Sequence, residues 1–159
     1  MDTSDLASSP DAFAELPGHF IRRLQQIAVA IFLQETEAFG ITPVQFAALQ
    51  GVAAQPGVDQ RTLARTIGFD TSTIAGVIDR LESRGLMQRQ VSPNDRRVRL
   101  LTLTPAGQVL LIAIVPPMLR AQERILAPLS DADQQVFLRM LKTLVLANNE
   151  LSRAPSDGV

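Results

Sequence analysis

The chain has 159 residues, 46% hydrophobic and 19% charged, with a formal net charge of −1; that suits one domain, or two small lobes sharing a core, and is apolar enough to bury one. Cysteine is absent and His19 is the single histidine, which excludes disulfides, thiol chemistry, cysteine zinc sites and a multi-histidine metal site within one chain. No apolar run is long enough to span a membrane and no basic-then-apolar leader is read, so a cytoplasmic protein with no cofactor and no membrane partner is expected.

In chain order, residues 1–16 are small, polar and acidic and are expected to form a disordered arm. A helix is predicted from Pro17 to about Ala38, with Phe20, Leu24, Ile27 and Ile31 at helical spacing and Gly40 as its stop. Thr42, Pro43 and Gln45 restart a helix through a capping box, and Pro56-Gly57 ends it in a loop. Asp59 is placed to cap a short helix over 60–67. After the connection Gly68-Phe69-Asp70, a helix over 71–84 carries Ile74, Val77, Ile78 and Leu81 on one face, and Gly85 stops it. Two helices around a short glycine-containing turn form a helix-turn-helix pattern.

Two short strands, 86–91 and 98–103, are predicted around a Ser-Pro-Asn-Asp turn. Thr104-Pro105 begins a long helix, which Pro116-Pro117 is expected to kink or break. Ser130 caps a last helix over 131–149, with apolar rows Val136, Met140, Leu144 and Phe137, Leu141. The residues after Ser152 are expected to be a loose tail. The fold class expected is therefore mainly α with a small β-wing. A helix over 17–38 and a helical lobe over 105–151 serve dimerisation, and a winged helix-turn-helix lobe over 42–104 lies between them. The broad apolar faces of the terminal helices exceed what one small winged helix can cover, which points to a homodimer.

The charge is segregated. Residues 61–100 hold eight arginines against four acids, a net +4, whereas residues 1–60 hold two arginines against seven acids, a net −5. A local positive field matters more than the total for binding a polyanion. With its apolar row turned inward, the helix over 71–84 would present Thr71, Ser72, Thr73, Gly76 and Arg80 outward, small polar groups suited to phosphates and base edges. At the hairpin tip stand Asp95, Arg96 and Arg97. A long cation gains energy in the negative minor groove, and Asp95 is placed to pair with the Arg97 guanidinium and fix its direction, while Arg96 reaches backbone phosphate. The opposing reading is a solvated charged hairpin, but two adjacent arginines at a tip do little for stability.

A third cluster is His19, Arg22, Arg23 and Gln26 on the first helix, suited to a carboxylate through forked guanidinium donors. Phe39, Ile41, Val44 and Phe46 could supply an apolar floor. The alternative is a surface or dimer-interface cluster.

The stretch TLARTIGFDTSTIAGVIDRLESRGLMQRQVSPNDRRVRLLTLTPAG, Thr62 to Gly107, resembles the MarR family of transcriptional regulators. It joins a helix-turn-helix, a wing with Asp95-Arg96-Arg97, and Leu103-Thr104-Pro105-Ala106-Gly107 in the family's Leu-Thr-x-x-Gly pattern. The resemblance implies a homodimer built from the first and last helices that binds palindromic double-stranded operator DNA. It also implies release by a small phenolic or aromatic acid. PGHFIRRLQQIAVAIF and the C-terminal stretch are similar to the aromatic-acid and nicotinate-catabolism branch (NicR/BpsR-like), for which a small aromatic carboxylate such as a hydroxynicotinate is the expected effector. An enzyme is not expected: no nucleophile and base pair and no phosphate loop can be assembled. Rival readings are a winged-helix protein-interaction module and a non-specific architectural DNA-binding protein.

Overall fold

The computed structural model describes residues 14–157. Helix α1 spans Pro17–Glu35, with proline in its first turn where the missing N–H costs nothing. The buried Thr36 hydroxyl donates to the Phe32 carbonyl (2.7 Å), and a 3-10 turn, Glu37–Phe39, follows before Gly40 reverses the chain at φ 57°. The helix foreseen to Ala38 thus tightens in its last turn, and Gly40 is the stop expected. Thr42 and Gln45 form the capping box that opens α2, Pro43–Ala54.

Strand β1 (Val58–Asp59) leads into α3, Gln60–Thr66, whose first N–H groups are met by the Asp59 carboxylate. Asp70 caps α4, Thr71–Ser83. Strands β2, Met87–Val91, and β3, Arg99–Leu103, pair as the hairpin foreseen, and β1 adds to the other edge of β3. The sheet is antiparallel in the order β1-β3-β2, with Leu101 opposite both Val58 and Arg89. Helix α5 runs over Pro105–Leu126 and α6 over Asp131–Asn148, capped by Thr104 and Ser130; a 3-10 turn, Asn149–Leu151, follows. The fold is mainly helical with a small β-wing, as the sequence indicates.

The core sits within the winged-helix lobe. Leu49 and Val52 of α2, Leu63 of α3, Ile74, Ile78 and Leu81 of α4, and Leu101 of β3 are all sealed from water. Phe32 of α1 and Ile114 and Ala121 of α5 extend it toward the long helices. The join between lobe and α5 depends on Gly107: a Cβ there would lie 1.9 Å from the Leu86 carbonyl oxygen. Thr104 fastens the same join, donating its N–H to the Leu86 carbonyl (3.2 Å) and its hydroxyl to that of Gly85 (2.6 Å). The Leu-Thr-x-x-Gly signature is therefore a clasp between the wing's base and α5.

Two expectations are corrected. Of the kink or break expected at Pro116-Pro117, the break does not occur: α5 continues to Leu126. Proline forfeits a helical hydrogen bond, but Pro117 is buried in one row with Ile114 and Ala121, and α5 packs along α1. Glu35 of α1 adds ion pairs to Arg120 (3.1 Å) and Arg124 (2.7 Å) of α5. Nor are residues 152–157 loose: they fold back on the end of α3, where Ser156 donates to the Thr66 carbonyl and Asp157 pairs with Arg65. The expectation for the N-terminal arm falls almost wholly outside the described residues.

Candidate nucleic-acid interface

The inward row of α4 fixes what its other face shows. With Ile74, Val77, Ile78 and Leu81 buried, Thr71, Ser72, Thr73 and Arg80 stand in water. Asp70 orders the first turn by accepting from the Thr73 N–H and from the hydroxyls of Ser72 and Thr73. These hydrogen bonds, the Ser72 hydroxyl's foremost, hold the Asp70 carboxyl far below its ordinary range. Each hydroxyl has thereby spent its proton on Asp70 and offers acceptor lone pairs outward. Gly76 is half-buried, yet a Cβ on it would meet nothing within 4 Å. Packing inside the chain does not require glycine there; close approach by something outside it would.

The hairpin tip is built on Asx geometry. The Asn94 N–H donates to the buried Ser92 hydroxyl, the Arg97 N–H to the Asp95 carboxylate (2.8 Å), and the Val98 N–H to the Asp95 carbonyl (3.0 Å). Asp95 therefore orients Arg97 through its backbone, not through the guanidinium pairing expected from sequence. A carboxylate two residues earlier is already at hydrogen-bond reach of that N–H, so the turn satisfies it first. Among the described residues, the guanidinium groups of Arg80, Arg96 and Arg97 enter no ion pair, and Arg96 and Arg97 are exposed.

Other arginines are committed internally, and sequence reasoning missed them. Arg89 of β2 pairs with Asp79 (2.6 Å) and Glu82 (2.8 Å) of α4, and its N–H donates to Glu82, fixing the wing against the helix. Arg84, just beyond α4, donates to the carbonyls of Gly40 (2.6 Å) and Phe39 (2.8 Å), tying that end of the helix to the turn between α1 and α2. Neither partner set is visible as a motif, because the contacts join residues seven to 45 positions apart.

The cationic cluster lies along the start of α1. His19 is half-buried with its ring edge-on to Phe20, Arg22 is exposed, and Arg23 donates to Gln26 (3.0 Å). Ile41 and Phe46 are core residues, Phe46 packing on Phe32, while Phe39 and Val44 are partly buried against them. Arg22 and Phe32 are ten residues apart on one helix, about 15 Å along its axis. The structure does not bring the cationic and apolar sets together within one chain.

This arrangement has close counterparts. The MarR family model matches residues 41–98, the span from the start of the lobe to the wing tip. A protein assigned as the transcriptional regulator of the hcr operon in Thauera aromatica is 36% identical over 134 residues, 84% of this chain and 81% of the relative. The chain belongs to the MarR family. It is a winged-helix, DNA-binding transcriptional regulator. Another family relative, the transcriptional repressor NicR of Pseudomonas putida, is 29% identical over 143 residues, 90% of each chain. Among solved structures, BpsR of Bordetella bronchiseptica, whose DNA binding is regulated by 6-hydroxynicotinic acid, is 32% identical with a TM-score of 0.78, over 83% of this chain and 94% of BpsR. The repressor CouR, bound to a 23-mer DNA duplex, is 30% identical with a TM-score of 0.77, over 91% of this chain and 98% of CouR. No helix among the described residues is long and apolar enough to cross a membrane.

Proposed function

We propose that this MarR-family regulator is a homodimeric repressor that binds a palindromic operator and leaves it when a small aromatic carboxylate of the hydroxynicotinate kind is bound. The observation that carries the DNA reading is the separation of its arginines: Arg84 and Arg89 are consumed in holding the lobe rigid, while Arg80, Arg96 and Arg97 are left for phosphate and base edges. Thr71, Ser72, Thr73 and Gly76 face the major groove, Arg97 enters the minor groove in the direction set by Asp95, and Arg96 takes a phosphate. The dimer reading is supported by side chains that one copy leaves in water: Phe20 of α1 is 54% exposed, Ile112 of α5 74% and Leu144 of α6 55%.

The effector reading is supported by likeness to BpsR and by the exposed Arg22 beside His19 near the start of α1. There a carboxylate would meet the guanidinium of Arg22, with Arg23 and Gln26 bordering it. A hundredfold loss of operator affinity needs about 2.7 kcal/mol of coupling, within the usual allosteric range. The test is selection from a random duplex pool, followed by release with 6-hydroxynicotinate. Enrichment of one palindrome with half-sites about one helical turn apart, and its release by the acid, is the expected result. Sequence-blind retention would instead make the protein architectural, and retention in the presence of the acid would remove the effector reading. Arg22→Ala should keep operator binding and lose the response.

A further inference from the structure

The C-terminal residues make a strap across the helix-turn-helix. Helix α3 is seven residues long, and its last carbonyls need partners from outside the helix. The chain end supplies some of them: the Asp157 N–H donates to the Arg65 carbonyl (3.3 Å) and the Ser156 hydroxyl to that of Thr66 (3.0 Å). Asn149 fixes the same Ser156: its side chain accepts from the Ser156 N–H (2.9 Å) and donates to the Ser156 carbonyl (3.0 Å). Gly68 lies beneath it, with Ser156 in van der Waals reach of the position its Cβ would take. The Asp157 carboxylate then takes the Arg65 guanidinium at 2.8 Å.

The place of this pair gives it meaning. One open groove is lined by Arg65, Phe69 and Thr71 on the lobe side and by Glu150, Arg153 and Asp157 on the strap side. Thr71 is the first residue of α4, the helix that faces DNA. A phosphate drawn to this first turn comes within range of Arg65, but Arg65 is already engaged by an acid. The pair is more than half exposed on both sides, so it adds little to stability.

We propose that Arg65 is a DNA-phosphate contact held in reserve, and that the C-terminal strap, through Asp157, is an autoinhibitory contact that competes with DNA for it. This rests on the DNA-binding activity of the family and not on the effector reading. Removing Asp157 frees one cation and deletes one anion beside the DNA-facing turn. Each released phosphate contact steepens the dependence of log K on log salt by about 0.9, equivalent to about fivefold in affinity near 0.15 M salt.

The test uses the full chain with a 30-base-pair duplex of random sequence, titrated at several salt concentrations. Asp157→Asn and a chain lacking residues 154–159 should both bind more tightly, about fivefold per protomer, with the salt slope steeper by about one. Arg65→Ala combined with either change should cancel the gain. If Asp157→Asn leaves affinity and slope unchanged or weakens binding, the competition does not exist. A gain that survives Arg65→Ala would show that the strap acts by bulk charge, and would equally overturn the assignment.

Discussion

In the winged-helix lobe, Leu49, Leu63, Ile74, Ile78 and Leu101 are wholly sealed from water, whereas along α6 no residue is buried and Leu138, Met140, Leu144 and Val145 face solvent. The two regions share one chain and a similar supply of apolar residues, so the difference lies in closure. The lobe folds three helices and a three-stranded sheet around its own core, and can therefore hold Thr71–Thr73 and the wing tip in fixed relation. Helix α6 presents a face with no counterpart among the described residues. Rigid geometry where DNA is read, and an open face where a second copy is proposed to dock, are complementary requirements of the dimeric regulator proposed above.

Gly107 is where the two regions meet, and breaking it should have the largest effect. Gly107→Ala puts a Cβ against the Leu86 backbone, so α5 must move from the wing's base. A loss of about 3 kcal/mol, the upper part of the usual range for overpacking, is expected in chemical denaturation, with operator binding weakened by more than stability alone explains.

Next come the wing residues, which sharpen the contrast between free and committed arginines. Arg97→Ala should cost about tenfold in operator affinity, roughly 1.4 kcal/mol, and leave thermal stability unchanged. Asp95→Ala should weaken binding in the same sense, although it removes a negative charge near DNA, because it releases the Arg97 N–H. Asp95→Asn, which can still accept that bond, should bind close to wild type in a fluorescence-anisotropy titration with labelled operator.

Gly76 is the counter-case to Gly107. Since no neighbour crowds it, Gly76→Ala should stabilise the protein by up to about 1 kcal/mol through helix propensity while weakening DNA binding. A variant that melts higher and binds DNA as well as wild type would show that this face of α4 is not approached closely.

The smallest effect is acid sensitivity in the lobe. The Asp70 carboxyl is held low by the hydroxyls of Ser72 and Thr73 and the Thr73 N–H. Partial burial of Asp59 acts in the raising direction, but hydrogen bonds from Thr62 and Arg61 outweigh it and bring that carboxyl low as well. Below about pH 4, near the ordinary Asp value, the unfolded chain takes up protons that the folded chain refuses. Stability from these caps is therefore full above that pH and lost as pH falls further. Asp59→Asn and Asp70→Asn, which keep a capping acceptor, should flatten the melting temperature against pH in this window.

What could be read from sequence follows from which interactions are local. The caps at Thr42, Asp59 and Ser130 and the helix start at Thr104 each act within three residues and were legible, whereas Asp70, read only as part of a connection, proves to cap α4 in the same way. The apolar row of α4 and the stops at Gly40 and Gly85 were equally plain. Strand β1 was not, because two residues carry no alternation to detect. The continuity of α5 through Pro116-Pro117 depends on tertiary packing that outweighs a local rule. At the site, composition and periodicity showed which residues of α4 face outward, but the partners of Arg84, Arg89 and Arg65 lie on other elements. Asp95 was paired with the Arg97 guanidinium where the structure has the Arg97 N–H, since sequence spacing does not distinguish a backbone N–H from a side chain two residues away.

The contrast between closed lobe and open helix is tested most directly by sedimentation equilibrium of the wild-type protein at micromolar concentration, with Leu144→Asp beside it. The wild type should sediment at twice the chain mass, and Leu144→Asp should shift it toward the single chain while the lobe keeps its helical circular dichroism. A wild-type protein that is fully folded and sediments as a single chain would contradict the proposed role of α6.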